Sequence, residues 1–410
     1  MPDGSQAASA LALPFLWPLA VAAGNANALM ELASHGLGFI GEEMKIGCGL
    51  HPELATPNRV ILDLRTLRLR DFSAEGAGGV PAIVVAPYAG HTSAIADYAP
   101  GQSLVQTLLA SGVGRVCMTD WKSATEDMAG LEIDQYLAEL NVCVEELGGR
   151  VSLVGLCQGG WMSAMYAARF PNRVARLVLA GSPIDTDAGD GPLKAMVRSA
   201  PGGFYEEMVA AGGGLMRGKL MLAGWKNMHP GRNYVQKHIE LYGHIGDPEW
   251  VRRNETFEAW YETTVDLPGR WYLQAIHCLF QENQFAKGEF VGLGKRLSLR
   301  DITCPVYMLA GEDDDITTAD QVFNAAGLIG TPGKMPSPAW FPAAISACSW
   351  VPARCATHGP KSAGGFPARE DGRRPPPAPD GAAPRAHGPG GPAHAALQPM
   401  PWRPKGHARR

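Results

Sequence analysis

From about residue 60 onward, short apolar runs alternate with segments whose apolar positions recur at helical spacing. Val60-Ile61-Leu62-Asp63-Leu64 and Leu67-Arg68-Leu69-Arg70 predict a leading antiparallel strand pair. Pro81 to Ala86 predicts a buried strand that runs into the turn Pro87-Tyr88-Ala89-Gly90-His91, and Arg115 to Asp120 predicts another strand. Ile133, Tyr136, Leu137, Leu140, Val144 and Leu147 share one helix face, closed by Gly148-Gly149. Arg150 to Val154 reads as a short buried strand, followed by Trp161, Met162, Met165, Tyr166 and Phe170 at helical spacing. Arg176 to Gly181 closes this run. Strands alternating with helices in this way build an α/β architecture, a doubly wound and mostly parallel sheet.

From Thr186 to Leu299 the rhythm stops. Helical patches, aromatic residues and the loop glycines Gly212-Gly213-Gly214 predict a helical cap inserted over the C-terminal edge of the sheet, where such folds place their sites. The strand pattern resumes with Cys304 to Ala310 and ends in the acidic turn Gly311-Glu312-Asp313-Asp314-Asp315-Ile316. The organisation that follows is a helical N-terminal segment at 1–59, a first core part at 60–185, the cap at 186–299 and an incomplete second core part at 300–333. Residues 334–410 change character. They hold 16 of the 33 prolines, 11 lysines and arginines and only three acids, a composition that predicts disorder.

Composition adds bounds. With 410 residues, 46% of them hydrophobic and 19% charged, the chain can bury a sizeable core. The formal net charge of −4 offers no nucleic-acid signal. Eight cysteines without paired zinc-type spacing point to a reducing cytoplasm, not a disulfide framework, and to no metal site. Ala7 to Ala23 is apolar but interrupted by Pro14 and Pro18, and the flank before it carries Asp3 and no basic residue. That argues against a signal peptide or a transmembrane segment, and for a helix packed on the body or on a hydrophobic surface. Gly288 to Gly294 lacks the context of a nucleotide loop, so no cofactor is implied.

The chemistry concentrates in Val154-Gly155-Leu156-Cys157-Gln158-Gly159-Gly160, a Gly-x-Cys-x-Gly box between a strand pattern and a helix pattern. That layout resembles the nucleophile elbow of the α/β-hydrolase fold, with sulfur in place of the usual serine. A nucleophile on a tight strand-to-helix turn projects into the site, and small flanking residues let the backbone turn. The next N–H and the helix N-terminus then face the developing oxyanion. The alternative use of Cys157 is that of a buried structural thiol.

Further motifs in the same order carry a closer resemblance. The turn Ala86 to His91, the pair Asp120-Trp121, the Cys157 box, Gly181-Ser182-Pro183-Ile184-Asp185-Thr186, Tyr272-Leu273-Gln274 and Gly311 to Ile316 together resemble intracellular polyhydroxyalkanoate (PHB) depolymerases and the related polyhydroxyalkanoate synthases. Ser182 to Thr186 and the Tyr272 region look like the depolymerase side, Gly159-Gly160 like the synthase side. The resemblance implies a Cys–His–Asp triad in which Cys157 attacks an ester or thioester carbonyl and carries the acyl group as a thioester. It implies oxyanion donors at the backbone N–H groups of Gln158 and Tyr88. It places the acid at Asp314, ahead of Asp313, Asp315 or Asp185, and His91 beside the oxyanion loop as a substrate contact or an ordinary loop histidine.

The histidine turn that the resemblance implies, Gly-His-(Ile/Tyr)-Gly after the acid, is missing from the chain as read. His244 lies in the similar string Tyr242-Gly243-His244-Ile245-Gly246, but inside the cap and before the acid. His277 reads as structural, and His358, His387, His394 and His407 fall in the tail. Read one base earlier, the codons of Trp340 to Trp350 are compatible with Leu/Met/Val-Val-Pro-Gly-Gly-His-Ile-Gly-Leu-Phe-Met, and the next with Gly-Ser-Arg-Thr-Leu-Arg. The tail thus reads as a frameshift that hides the histidine turn, and this chain would be inactive without its general base. The function expected is cysteine-dependent acyl-ester hydrolysis of the depolymerase kind, in the cytoplasm at polyhydroxyalkanoate granules. The alternatives are a synthase-like acyltransferase using hydroxyacyl-CoA and a non-catalytic granule-binding protein. The short region before the core favours the depolymerase over the synthase.

Overall fold

The computed structural model describes residues 26–311, 314, 316–331 and 339–341. Among these, one sheet is formed by β1 (Arg59–Asp63), β2 (Leu67–Asp71), β3 (Ala82–Val85), β4 (Val116–Trp121), β5 (Val151–Leu156), β6 (Val174–Ala180), β7 (Val306–Gly311) and β8 (Ala339–Phe341). Their order is β1-β2-β4-β3-β5-β6-β7-β8. The β1–β2 and β2–β4 pairs are antiparallel and all the others parallel. Helices cover both faces, which is why the central strands read as unbroken apolar runs: every residue of β3 is buried. Near the edge the period-2 alternation returns. Leu67 and Leu69 of β2 are buried, while Arg70 reaches Asp120 across the ladder at 2.7 Å.

Before the sheet lies α1 (Ala26–Gly47); within its first part run α2 (Leu104–Ala110), α3 (Ile133–Glu146) and α4 (Gln158–Arg169). A reciprocal cap between Glu132 and Gln135 starts α3, and Ile133, Tyr136, Leu137, Leu140 and Val144 point into the core as their spacing predicts. Gly159 to Ala168 of α4 are all buried, so this helix sits at the centre of the molecule.

Between β6 and β7 the cap contains α5 (Pro192–Ser199), α6 (Phe204–Ala211), α7 (Gly218–Met228), α8 (Lys237–His244), α9 (Pro248–Glu262) and α10 (Gly269–Gln274). A wide π-type turn continues α10 through Ala275–Gln281. A two-residue ladder, Leu215–Met216 against Leu267–Pro268, joins two distant segments within the cap; it is too short to show any periodicity. The chain then returns to the core at Leu293, whose N–H donates to Asp134 at 2.8 Å.

Helix α1 lies on the cap. Phe39 and Tyr242 meet edge to face at 5.8 Å, Glu43 pairs with His238 at 2.7 Å, and Lys45 pairs with Glu255. Its other face presents Leu37, Ile40 and Met44 to solvent. The apolar stretch Ala7 to Ala23 lies outside the described residues. Among those described, no helix is long and apolar enough to cross a membrane.

Disorder throughout 334–410 needs one correction. Residues 339–341 pair in parallel with β7, Ala339 opposite Leu309 and Phe341 opposite Gly311. The backbone groups on the free edge of β7 need partners, and a short apolar run between Pro338 and Pro342 supplies them. Residues 342–410, including the codons of the shifted frame beyond Phe341, lie outside the described residues, as do Asp313 and Asp315.

Candidate active site

Cys157 follows the last residue of β5 and precedes α4, with φ 49° and ψ −116°. Only two other described non-glycine residues, Asn283 and Leu293, have positive φ. Such a backbone is strained and persists only where its surroundings enforce it. Here they do. The Cys157 N–H donates to the Ala180 carbonyl at 2.8 Å, and the Gly160 N–H donates back to the Cys157 carbonyl at 2.9 Å. The flanking glycines have no room for a methyl group. A Cβ on Gly155 would lie 2.4 Å from Gly160 Cα, one on Gly159 2.0 Å from the Val85 carbonyl oxygen, and one on Gly160 1.7 Å from Ser182 Oγ. The box is therefore a set of steric requirements: the first turn of α4 presses directly onto β3, β5 and the turn after β6.

Cys157 and Gln158 line a cavity of about 780 Å³. The cap forms most of its wall, through Met196 of α5, Met208 of α6, Met221 and Trp225 of α7, and Tyr272 and Phe280 around the π-type turn. No acidic, basic or histidine side chain lines it among the described residues. Apart from the Tyr272 motif, sequence reading missed these cap residues, because nothing in a helical pattern tells a cavity wall from a core face.

Tyr88 fills two roles. Its backbone N–H donates to Gln158 Oε1 at 2.7 Å. Its ring is fully buried, packed at 5.3 Å from both Tyr136 and Trp271, and its hydroxyl lies 3.1 Å from the Lys122 carbonyl and 3.0 Å from that of Asp266. The side chain thus ties the loop after β3 to the base of the cap.

Asp314 and Asp185 separate clearly. Asp185, after β6, is consumed by structure: its carboxylate accepts from Asn283 Nδ2 at 2.7 Å, from the Asp187 N–H at 3.1 Å and from Asn324. Asp314, after β7, is buried, and its Oδ1 accepts from the N–H groups of Ile316 at 3.1 Å and Thr317 at 3.0 Å. Ile316 and Thr317 in turn line the cavity with Cys157. In the sheet order β6 alone stands between β5, which ends just before Cys157, and β7, which precedes Asp314.

The histidines lie elsewhere. His91, read as a substrate contact, is 6% exposed and stacks on Trp260 at 4.8 Å and Tyr261 at 5.3 Å. Burial pushes its pKa down to about 4. It does not line the cavity, and the structure gives it the place of a packed core histidine. His244 stacks on Trp250 and reaches the Glu240 carbonyl at 2.9 Å; His277 pairs with Glu206 at 3.0 Å. Neither lines the cavity.

A sheet in this order, with a strained cysteine turn after the strand at its centre, defines an α/β-hydrolase-fold protein that carries a thiol at the elbow. The chain belongs to the family described as "Protein of unknown function (DUF3141)", which matches residues 64–327. It is also similar to poly(3-hydroxyalkanoate) polymerase subunits PhaC. That of Haloferax mediterranei is 29% identical over 275 residues, covering 64% of this chain and 54% of the relative. That of Allochromatium vinosum is 29% identical over 259 residues, covering 62% and 70%. The match thus spans about half the length of the Haloferax protein. Among solved structures, a carboxylesterase from Nitrososphaera gargenis is similar with a TM-score of 0.41 and 16% identity, covering 69% of this chain and 90% of that one. The relatives are named as polymerases, so the synthase side of the resemblance takes precedence over the depolymerase side.

Proposed function

We propose that this chain is built for cysteine-dependent acyl transfer of the polyhydroxyalkanoate polymerase kind. The observation that carries this reading is the strained Cys157 on the wall of a large cavity that no charged side chain lines among the described residues. The Cys157 thiolate attacks the carbonyl carbon of a hydroxyacyl thioester, the tetrahedral intermediate expels the thiol, and the acyl group stays on sulfur. A hydroxyl, the end of a growing chain, then attacks this thioester and releases Cys157; water in its place gives hydrolysis. The N–H groups of Gln158 and Tyr88 stabilise the oxyanion, and Asp314 orients the base. In the shifted frame the histidine falls on the codon of Ile345, four residues after β8. β8 itself stands one strand beyond β7, which precedes the acid, and this order supports the frameshift reading. The outward Leu37, Ile40 and Met44 of α1 support contact with a hydrophobic surface such as a polymer granule.

The test compares this chain with one carrying the restored frame, each incubated with a hydroxyacyl-CoA and digested for mass spectrometry. The restored chain carries an acyl adduct on Cys157 and forms polymer. Release of free hydroxy acid without polymer would turn the assignment to hydrolysis. Absence of any adduct on Cys157 in the restored chain would sink the reading.

A further inference from the structure

An oxyanion needs donors fixed in advance where the acyl oxygen turns negative. One candidate, the Tyr88 N–H, already has an acceptor, Gln158 Oε1 at 2.7 Å. Chemistry decides which end of the carboxamide faces it, since a peptide N–H meets only the oxygen. A carbonyl-type oxygen of the protein therefore takes the contact that a substrate carbonyl requires.

One of the two partners has to give way, and the loop bearing Tyr88 is pinned on all sides. The Tyr88 hydroxyl is 3.0 Å from the Asp266 carbonyl, and the Val265 N–H donates to Gly90 at 3.0 Å. The Trp225 indole donates to the Ala89 carbonyl at 3.3 Å and the Trp260 indole to that of Thr92 at 3.1 Å. Gly90 lies under α7 so closely that a Cβ there would sit 3.1 Å from Met221 Cβ. Gln158 is different: its side chain is flexible, half-buried and on the cavity wall. There is also a reason for it to stay. Tyr88 is fully buried, and a buried N–H without an acceptor is costly; the carboxamide removes that cost while the site is empty.

We propose, resting on the nucleophile reading of Cys157, that Gln158 is a positioning residue whose carboxamide covers the Tyr88 N–H until an acyl carbonyl displaces it. Acylation of Cys157 then competes with an internal acceptor. The cover also denies water the same donor.

The experiment uses the full chain with 4-nitrophenyl octanoate at about pH 9.5, where a thiol ionises without a base. Acylation of Cys157 appears as a burst of nitrophenolate that Cys157→Ala lacks. Gln158→Met keeps the length and removes the acceptor, so the burst rate constant rises about 2- to 12-fold. Gln158→Glu holds the N–H more firmly and repels the oxyanion, so the rate constant falls about tenfold or more. Selective 15N-tyrosine labelling of the Cys157→Ala chain reads the contact without chemistry: the Tyr88 amide proton moves upfield with Gln158→Met. A burst that Gln158→Met leaves unchanged or slows would overturn the proposal, and so would an unmoved Tyr88 amide. A burst missing from the unaltered chain removes the nucleophile reading itself, an outcome distinct from a burst insensitive to Gln158.

Discussion

The elbow under the cavity and the cap above it are packed on opposite terms. At the elbow, backbone meets backbone: Gly155, Gly159 and Gly160 are closed on every side, and Cys157 is held in a strained conformation by hydrogen bonds to β6 and α4. In the cap, Gly212, Gly218 and Gly269 are just as closed where its segments cross, but Gly224, Gly231 and Gly243 on its helices have nothing within 4 Å of where a Cβ would be. The wall it contributes includes five methionines, Met196, Met208, Met216, Met221 and Met228. Their unbranched thioethers adapt to irregular shapes. A reacting atom has to be fixed to within a fraction of an ångström, whereas an acyl chain with many conformers is best received by a wall that rearranges.

The contrast can be broken most directly at the sulfur. Cys157→Ala abolishes acyl adduct formation by at least about a thousandfold, measured by burst kinetics, while Met221→Ala changes the preferred acyl length and keeps the adduct. Next in size is the steric demand. Gly159→Ala, which drives a Cβ into the Val85 carbonyl, lowers stability by about 3 kcal/mol or more in denaturant titrations. A stable, well-folded Gly159→Ala chain would show that the elbow is less constrained than its contacts indicate.

The seam between the two regions titrates. His91 lies there against Trp260 and Tyr261, with Lys226 and Glu262 as its charged neighbours. Its folded pKa of about 4 is below the ordinary 6.5, so between those pH values the unfolded chain takes up a proton that the folded chain refuses. Stability therefore falls as pH drops from about 6.5 to 4, by roughly 3 kcal/mol in full. His91→Phe keeps the stack and flattens the profile; an equally steep profile in that variant would remove His91 as its cause.

Smaller effects sharpen the cap side. In the restored-frame chain each methylene added to the acyl group raises kcat/KM by about fourfold until the cavity is filled, from the transfer of apolar surface out of water. A preference for the shortest acyl group would contradict the cavity as the acyl site. Smallest of all, Gly243→Ala within α8 stabilises by about 0.5 to 1 kcal/mol, read as a raised thermal midpoint.

Much of this was legible from the residues alone, for identifiable reasons. Strands buried on both faces have to be apolar throughout, so Ala82–Val85 and Val151–Leu156 stood out, and the glycine box marked the turn between β5 and α4. What escaped depended on tertiary partners. The resemblance set Asp314 ahead of Asp185, but the Asn283 and Asn324 contacts that occupy the Asp185 carboxylate appear only in the fold. The Gln158 carboxamide carries no signal until Tyr88 is folded against it. Ala339 to Phe341 pair with β7, but three apolar residues inside a proline-rich tail are too few to show a strand period.

The indoles around the cavity have a practical corollary. Trp161, Trp225 and Trp271, three of the ten in the chain, face the space where an acyl group would lie. Their emission depends on the polarity and quenchers beside them, and methionine sulfur lies in the same wall. The molecule thus carries an intrinsic optical gauge of occupancy, one that reports filling of the chamber without any need for turnover.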